Sequence, residues 1–87
     1  MQATLHWYDA LGLFGVALIL VAYLLLQLRR IDPRGAAYSA LNAAGAGLVL
    51  LSLCYDFNLS AAAIEAAWLL ISAYGLAQAL RLRRSAP

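Results

Sequence analysis

The sequence predicts an all-α integral membrane protein, a bundle of three transmembrane helices forming one domain over residues 1–87. Two observations predict it. Three apolar runs, at about residues 9–30, 36–55 and 60–82, are each long enough to cross bilayer hydrocarbon, which takes about 20 helical residues. In addition, 66% of the 87 residues are hydrophobic and only 11% are charged, against about 45–50% and about 25% in ordinary soluble chains. A soluble domain this small has too little interior to hide that much apolar side chain.

The first run follows a polar-aromatic leader. Trp7 and Tyr8 carry amphipathic rings that favour the headgroup zone. Asp9 stands where the helix is expected to begin, placed to cap it and to complement its dipole. No basic segment precedes the run, and it ends on Arg29 and Arg30, so a cleaved signal peptide is not expected. Only Tyr23 and Gln27 interrupt its apolar character. Gly12 and Gly15, one turn apart, are expected to let a neighbouring helix approach closely.

The first connection contains Asp32-Pro33-Arg34-Gly35, which suits a type I turn. Pro33 also disfavours helix at Asp32. The second run then has two faces at helical spacing. Ala36, Ala40, Ala43 or Ala44, and Gly47 form a small-residue stripe that reads as a packing surface. Tyr38, Asn42, Gly45, Val49 and Ser52 form a stripe with polar groups in it. Unpaired polar groups in hydrocarbon are costly, so this stripe is expected to face protein.

Asp56 to Leu59 is the second connection, with Tyr55 and Phe57 as interfacial aromatics and Ser60 as the expected N-cap of the third helix. In that helix Ala61, Glu65, Trp68, Ser72, Gly75 and Ala79 share one face, and Leu69, Leu70, Ile71, Leu76 and Leu80 occupy much of the rest. Arg81, Arg83 and Arg84 end it.

Three spans put the first connection and the C-terminus on one side. All six basic residues are arginines on that side: Arg29, Arg30, Arg34, Arg81, Arg83 and Arg84. The positive-inside rule makes it the cytoplasmic side and puts the N-terminus outside. The same arginines are suited to anionic lipid headgroups.

Glu65 is the most informative polar residue. A carboxylate inside a membrane span marks a partner or a function by default, and no arginine lies on its side of the bilayer. Its candidate partners are Ser52, Tyr55, His6 or another subunit. It reads either as a proton, cation or ligand contact or as a hydrogen-bond clamp. Trp68, one turn deeper on the same face, reads as a ligand platform or as packing. Asn42 is expected to bond across to another helix, with Ser72 as candidate partner and Tyr23 able to join from the first helix. Together Tyr23, Tyr38, Asn42, Ser52, Glu65, Trp68 and Ser72 are the candidates for a polar path, and Gly12, Gly15, Gly45, Gly47 and Gly75 for close helix packing.

No catalytic set is visible. His6 is a lone imidazole and Cys54 a lone thiol. There is no glycine-rich phosphate loop and no nucleophile beside a base. Neither an enzyme nor a metal or cofactor site is expected, and arginines beside apolar spans do not suit nucleic acid.

Tyr38-x-x-Leu41-Asn42-x-x-Gly45 followed by Glu65-x-x-Trp68-x-x-Ile71-Ser72 resembles a family of small, uncharacterised bacterial membrane proteins with three helices. The resemblance extends to Gly12-x-x-Gly15 and Ala22-Tyr23 and covers Asp9 to Leu80. It implies the fold and a bacterial inner-membrane location, and no particular activity. Ala22-Tyr23-Leu24-Leu25-Leu26-Gln27 before a short basic turn is more loosely similar to the half-sugar transporters of the PQ-loop type, with Leu26 standing where those have proline.

Two functional readings follow. One is a homo-oligomeric, transporter-like half-unit whose path for a small solute or proton is lined by Asn42, Glu65 and Trp68. The other is a structural or adaptor protein that packs against a larger membrane partner.

Overall fold

A computed structural model describes residues 5–85, the side chains of residues 83–85 excepted. The chain forms three helices, α1 (Trp7–Gln27), α2 (Ala36–Leu53) and α3 (Leu59–Ser85). All three are long and apolar enough to cross a membrane. There is no strand among the described residues.

The helix ends follow local hydrogen bonding. His6 is the N-cap of α1, and its N–H donates to Asp9 Oδ2 at 2.8 Å. Asp9 therefore serves the cap from inside the first turn, and the helix starts two residues before the carboxylate. At the other end Arg29 N–H reaches Leu26 C=O at 3.0 Å and Arg30 N–H reaches Leu25 C=O at 2.9 Å. This double closure is a Schellman motif, which needs a left-handed residue after the cap. Here that residue is Arg29, with φ 58°, where glycine is usual. The motif ends α1 at Gln27, while the apolar run itself continues through Leu28.

The expected turn is present: Gly35 N–H donates to Asp32 C=O at 2.9 Å, and Arg34 N–H donates to Asp32 Oδ1 at 2.9 Å. At the start of α3 the cap is Asn58, not Ser60. Ala61 N–H donates to Asn58 Oδ1 at 3.0 Å, which brings Ser60 inside the first turn.

α1 and α3 both pack on α2 and, among the described residues, make no contact with each other. The three helices thus form an open row with α2 in the middle, 57 × 24 × 19 Å overall. The interior is built from small residues. Ala22, Ala46, Val49 and Ala79 are buried with Ser39, Asn42 and Ser72, and among the described residues no large side chain is fully enclosed. Lipid tails are as apolar as leucine, so membrane helices gain from close backbone approach rather than from hiding large apolar groups.

That approach is tightest between α1 and α2. A Cβ at Gly15 would stand 2.5 Å from the Gly45 carbonyl oxygen, and one at Gly45 would stand 2.6 Å from that of Gly15. Gly12 meets the Ser52 hydroxyl at 2.9 Å on the same measure. Between α2 and α3 the corresponding contact is Gly75 against Ser39 Oγ, at 2.7 Å.

The expected packing role of Gly47 is not met within the chain. Nothing lies within 4 Å of a Cβ built there, and Ala40 and Ala44 of the same stripe are exposed. The stripe points away from α1 and α3 because the polar stripe of α2 takes both neighbours. Gly45, Val49 and Ser52 face α1, while Ser39 and Asn42 face α3.

An aromatic cluster closes the end opposite the arginine turn. Tyr55 packs on Trp7 at a centroid distance of 4.8 Å and stacks on Tyr8 at 5.3 Å. It pins the start of α1 to the chain just beyond α2.

Candidate functional site

The candidate site lies between α2 and α3, and its centre is one side-chain bond. The two helices run antiparallel, and Trp68 Nε1 donates to Asn42 Oδ1 at 3.0 Å. Asn42 in turn donates from Nδ2 to the Tyr38 carbonyl one turn back, at 2.9 Å. Both bonds hold the amide in one orientation, and the residue is only 4% exposed. The partner expected for Asn42 was Ser72. Trp68 takes that place because its indole reaches across the helix gap while the serine hydroxyl is short.

Beside this bond an open-sided cavity of about 290 Å³ runs toward the arginine end. Its polar wall is Tyr38, Ser39, Asn42, Trp68 and Ser72, and Pro33 and Ile71 supply apolar surface. Gly75 lets α2 and α3 come close at the cavity's edge, since a Cβ there would stand 2.7 Å from Ser39 Oγ. Ser39 and Ser72 are 6% and 8% exposed, and neither hydroxyl is engaged in a hydrogen bond among the described residues. The wall offers hydroxyls, an aromatic ring and no charge.

Four of the candidate path residues, Tyr38, Asn42, Trp68 and Ser72, line this cavity. The other three do not. Tyr23 is exposed on α1 and accepts a hydrogen bond from Gln27 Nε2 at 2.9 Å; α1 does not reach α3, so it cannot join the set. Ser52 lies against Gly12 in a shallow groove that also includes Asp9. Glu65 sits one turn from Trp68 toward the aromatic end, and its Oε1 is buried with no hydrogen-bond partner. Neither Ser52, Tyr55 nor His6 bonds to it; His6 contacts Asp9 instead, at 3.4 Å.

Ser39 was not anticipated. Its signal is spacing: Ser39, Asn42 and Ala46 fall at i, i+3 and i+7, and all three are buried. Among the described residues no group of three or more His, Cys, Asp or Glu side chains is placed to hold a metal ion. Arg29, Arg30, Arg34 and Arg81 are exposed and have no carboxylate partner among those residues. The side chains of Arg83 and Arg84 lie outside the described residues.

No curated protein and no solved structure matches the chain. The looser similarity to half-sugar transporters therefore has no support from these comparisons. A family model does match, over residues 8–84. That span takes in all of the three helices except Trp7 and Ser85, and the whole Asn42–Trp68 site, and the chain belongs to this family, a small and uncharacterised one.

Proposed function

We propose that the protein is a homo-oligomeric, transporter-like half-unit of a membrane, with its arginine end in the cytoplasm. The observation that carries this reading is that the polar wall of Asn42, Trp68 and Ser72 borders a cavity that one chain leaves open-sided. A row of three helices has no way to enclose it, since α1 and α3 never meet. A second copy docked on the row would close the path. The small stripe of α2, with Gly47 and Ala44 free of neighbours in the chain, suits close helix approach between copies. The buried, unpartnered Oε1 of Glu65 lies one turn from Trp68 and outside the cavity wall, and it suits a proton or a donor that a second copy would bring beside it.

The test combines flux with assembly. Purified protein in sealed vesicles is expected to move protons or a small solute down a gradient, and Glu65→Gln is expected to abolish the proton component. Cysteines placed at Ala40 or Ala44 are expected to cross-link two copies, and Ala44→Leu to break the oligomer. No flux together with no self-cross-link would sink the proposal.

The adaptor reading draws on one observation of its own. The Asn42 amide is bonded on both sides, to Trp68 and to Tyr38, as internal glue would be. In that case cross-linking in native membranes captures a single larger partner through α2 and no second copy.

A further inference from the structure

Glu65 Oε1 is the one enclosed side-chain oxygen or nitrogen without a hydrogen-bond partner among the described residues. The residue itself is only part-buried, and its second oxygen, Oε2, is not enclosed. The carboxyl therefore sits at the edge of the α2–α3 contact, with one oxygen turned in and one open. An unmet carboxyl in a membrane span marks a partner by default.

Its direction follows from the helix period. Ser72 and Ala79 are buried and mark the line of α3 that meets α2. Trp68 and Ile71 stand to one side of that line, where they border the cavity. Glu65 stands about 30° to the other side, on the flank that carries Leu69 and Leu76. Ala43 and Gly47 lie on the same flank of α2. Leu69, Leu76 and Ala43 are part-buried, and Gly47 has open space beside it. The flank is thus a face of small residues and leucines with one carboxyl in it. Its depth follows from the register of the helices. The Ser39–Gly75 and Asn42–Trp68 contacts set Glu65 level with residues 45–49 of α2. The Gly15–Gly45 and Gly12–Ser52 contacts set those level with residues 11–19 of α1. Neither stretch holds a hydrogen-bonding or ionisable side chain. Trp68, the nearest other donor on α3, is already bonded to Asn42.

Copies inserted the same way round into a bilayer are related by rotation about its normal, and a two-fold is the commonest case. Each residue then stands level with its own counterpart. The one group that a second copy can bring to Glu65 at that depth is its own Glu65. We infer that this flank of α2 and α3 is a two-fold interface between copies of the chain, in which the two Glu65 carboxyls face each other and hold one proton between them. α2 of each copy packs on α3 of the other, and the two α3 helices stand on the diagonal of four. Neighbouring axes about 8–10 Å apart make that diagonal about 11–14 Å. Side chains reach about 5–6 Å from a helix axis, so two inward-leaning carboxyls span it with a hydrogen bond between them. One Oε2–H donates to Oε2 of the partner's Glu65. Two ionised carboxylates side by side repel, and no cation faces them from α2 or α1, so the shared proton holds the pair together. The inference rests on the homo-oligomer proposed above. It concerns a different contact from the one that closes the cavity.

The exposed thiol of Cys54 carries the readout. Copies labelled there with a donor or an acceptor dye are mixed in phosphatidylcholine vesicles, and energy transfer is followed as lipid dilutes the protein. Between about pH 5 and about pH 9 both carboxyls ionise, and the dissociation constant is expected to rise by about 3- to 20-fold. Glu65→Gln places two amides in the same position, where they pair without charge, and its dimer is expected to ignore pH. Glu65→Ala is expected to give the weaker dimer at both values. A wild-type constant that does not change with pH overturns the inference, and so does a pH dependence that survives in Glu65→Gln. A second readout maps the contact. In a Cys54→Ser background, copper–phenanthroline oxidation is expected to join Leu69→Cys to its counterpart and to leave Ile71→Cys monomeric; the reverse pattern overturns the interface. Flux with a dimer blind to pH removes this inference alone. A pH-linked dimer without flux removes the transporter reading alone, and no energy transfer at any dilution removes both.

Discussion

Trp68 and Asn42 form the side-chain bond that ties α3 to α2, at 3.0 Å. Interhelical hydrogen bonds in membranes contribute on the order of 0.6–1.7 kcal/mol, because the separated helices find other partners. Trp68→Phe keeps a large ring and removes the donor. It is expected to cost about 1 kcal/mol in reversible unfolding with a denaturing detergent. Ser72→Ala, whose hydroxyl faces the cavity without a protein partner, should cost nothing measurable by the same titration. If the serine change proved the more damaging, the assignment of the α2–α3 contact to the indole would be wrong. Arg29 is the other residue whose environment is unusual. Its left-handed backbone is disfavoured for a residue with a Cβ, and two backbone hydrogen bonds together with a cation at the negative end of α1 offset that cost.

Among the elements, α2 is the one on which both neighbours depend, and glycine decides how near they come. Gly15 and Gly45 bring the α1 and α2 backbones into direct contact, so either one replaced by Ala must push the helices apart. Overpacking of this kind typically costs about 1–3 kcal/mol. Gly47→Ala has open space to fill and better helix propensity by about 1 kcal/mol as measured in water. It should be neutral or stabilising in the same unfolding assay. The contrast separates two glycines on one helix, only two positions apart. A large loss at Gly47 with the protein held monomeric would mean that the α2 face assignment is reversed.

At the scale of the whole molecule the distribution of charge and rings is polar. The described arginines lie at one end, and Trp7, Tyr8, Tyr55 and Phe57 lie at the other. The single thiol, Cys54, is exposed near the aromatic end, just after α2. It is therefore a native probe of orientation. With the arginine end in the cytoplasm, a membrane-impermeant maleimide added to cells with the outer face accessible should label Cys54 without prior lysis. Labelling only after lysis would reverse the proposed orientation. The assembly question belongs to this scale too, since an open row of three helices presents three sides of α2 and only two are taken.

The spans, the Asp32–Gly35 turn and the turning of the α2 polar stripe toward the neighbouring helices were legible in the residues. Each depends on a strong local rule: backbone groups in hydrocarbon must bond within the helix, Pro and Gly punctuate turns, and buried polar atoms need partners. The order of the helices was not legible. Between leucine and lipid there is almost no free-energy difference to mark a face, so hydropathy alone could not say that α1 and α3 would share α2 without meeting. Only the tertiary structure decided that Trp68 reaches Asn42, that Tyr23 and Ser52 stand apart, and that Gly47 is left uncovered. Those outcomes follow from how closely particular glycines let two backbones come, a property of pairs of residues far apart in the chain.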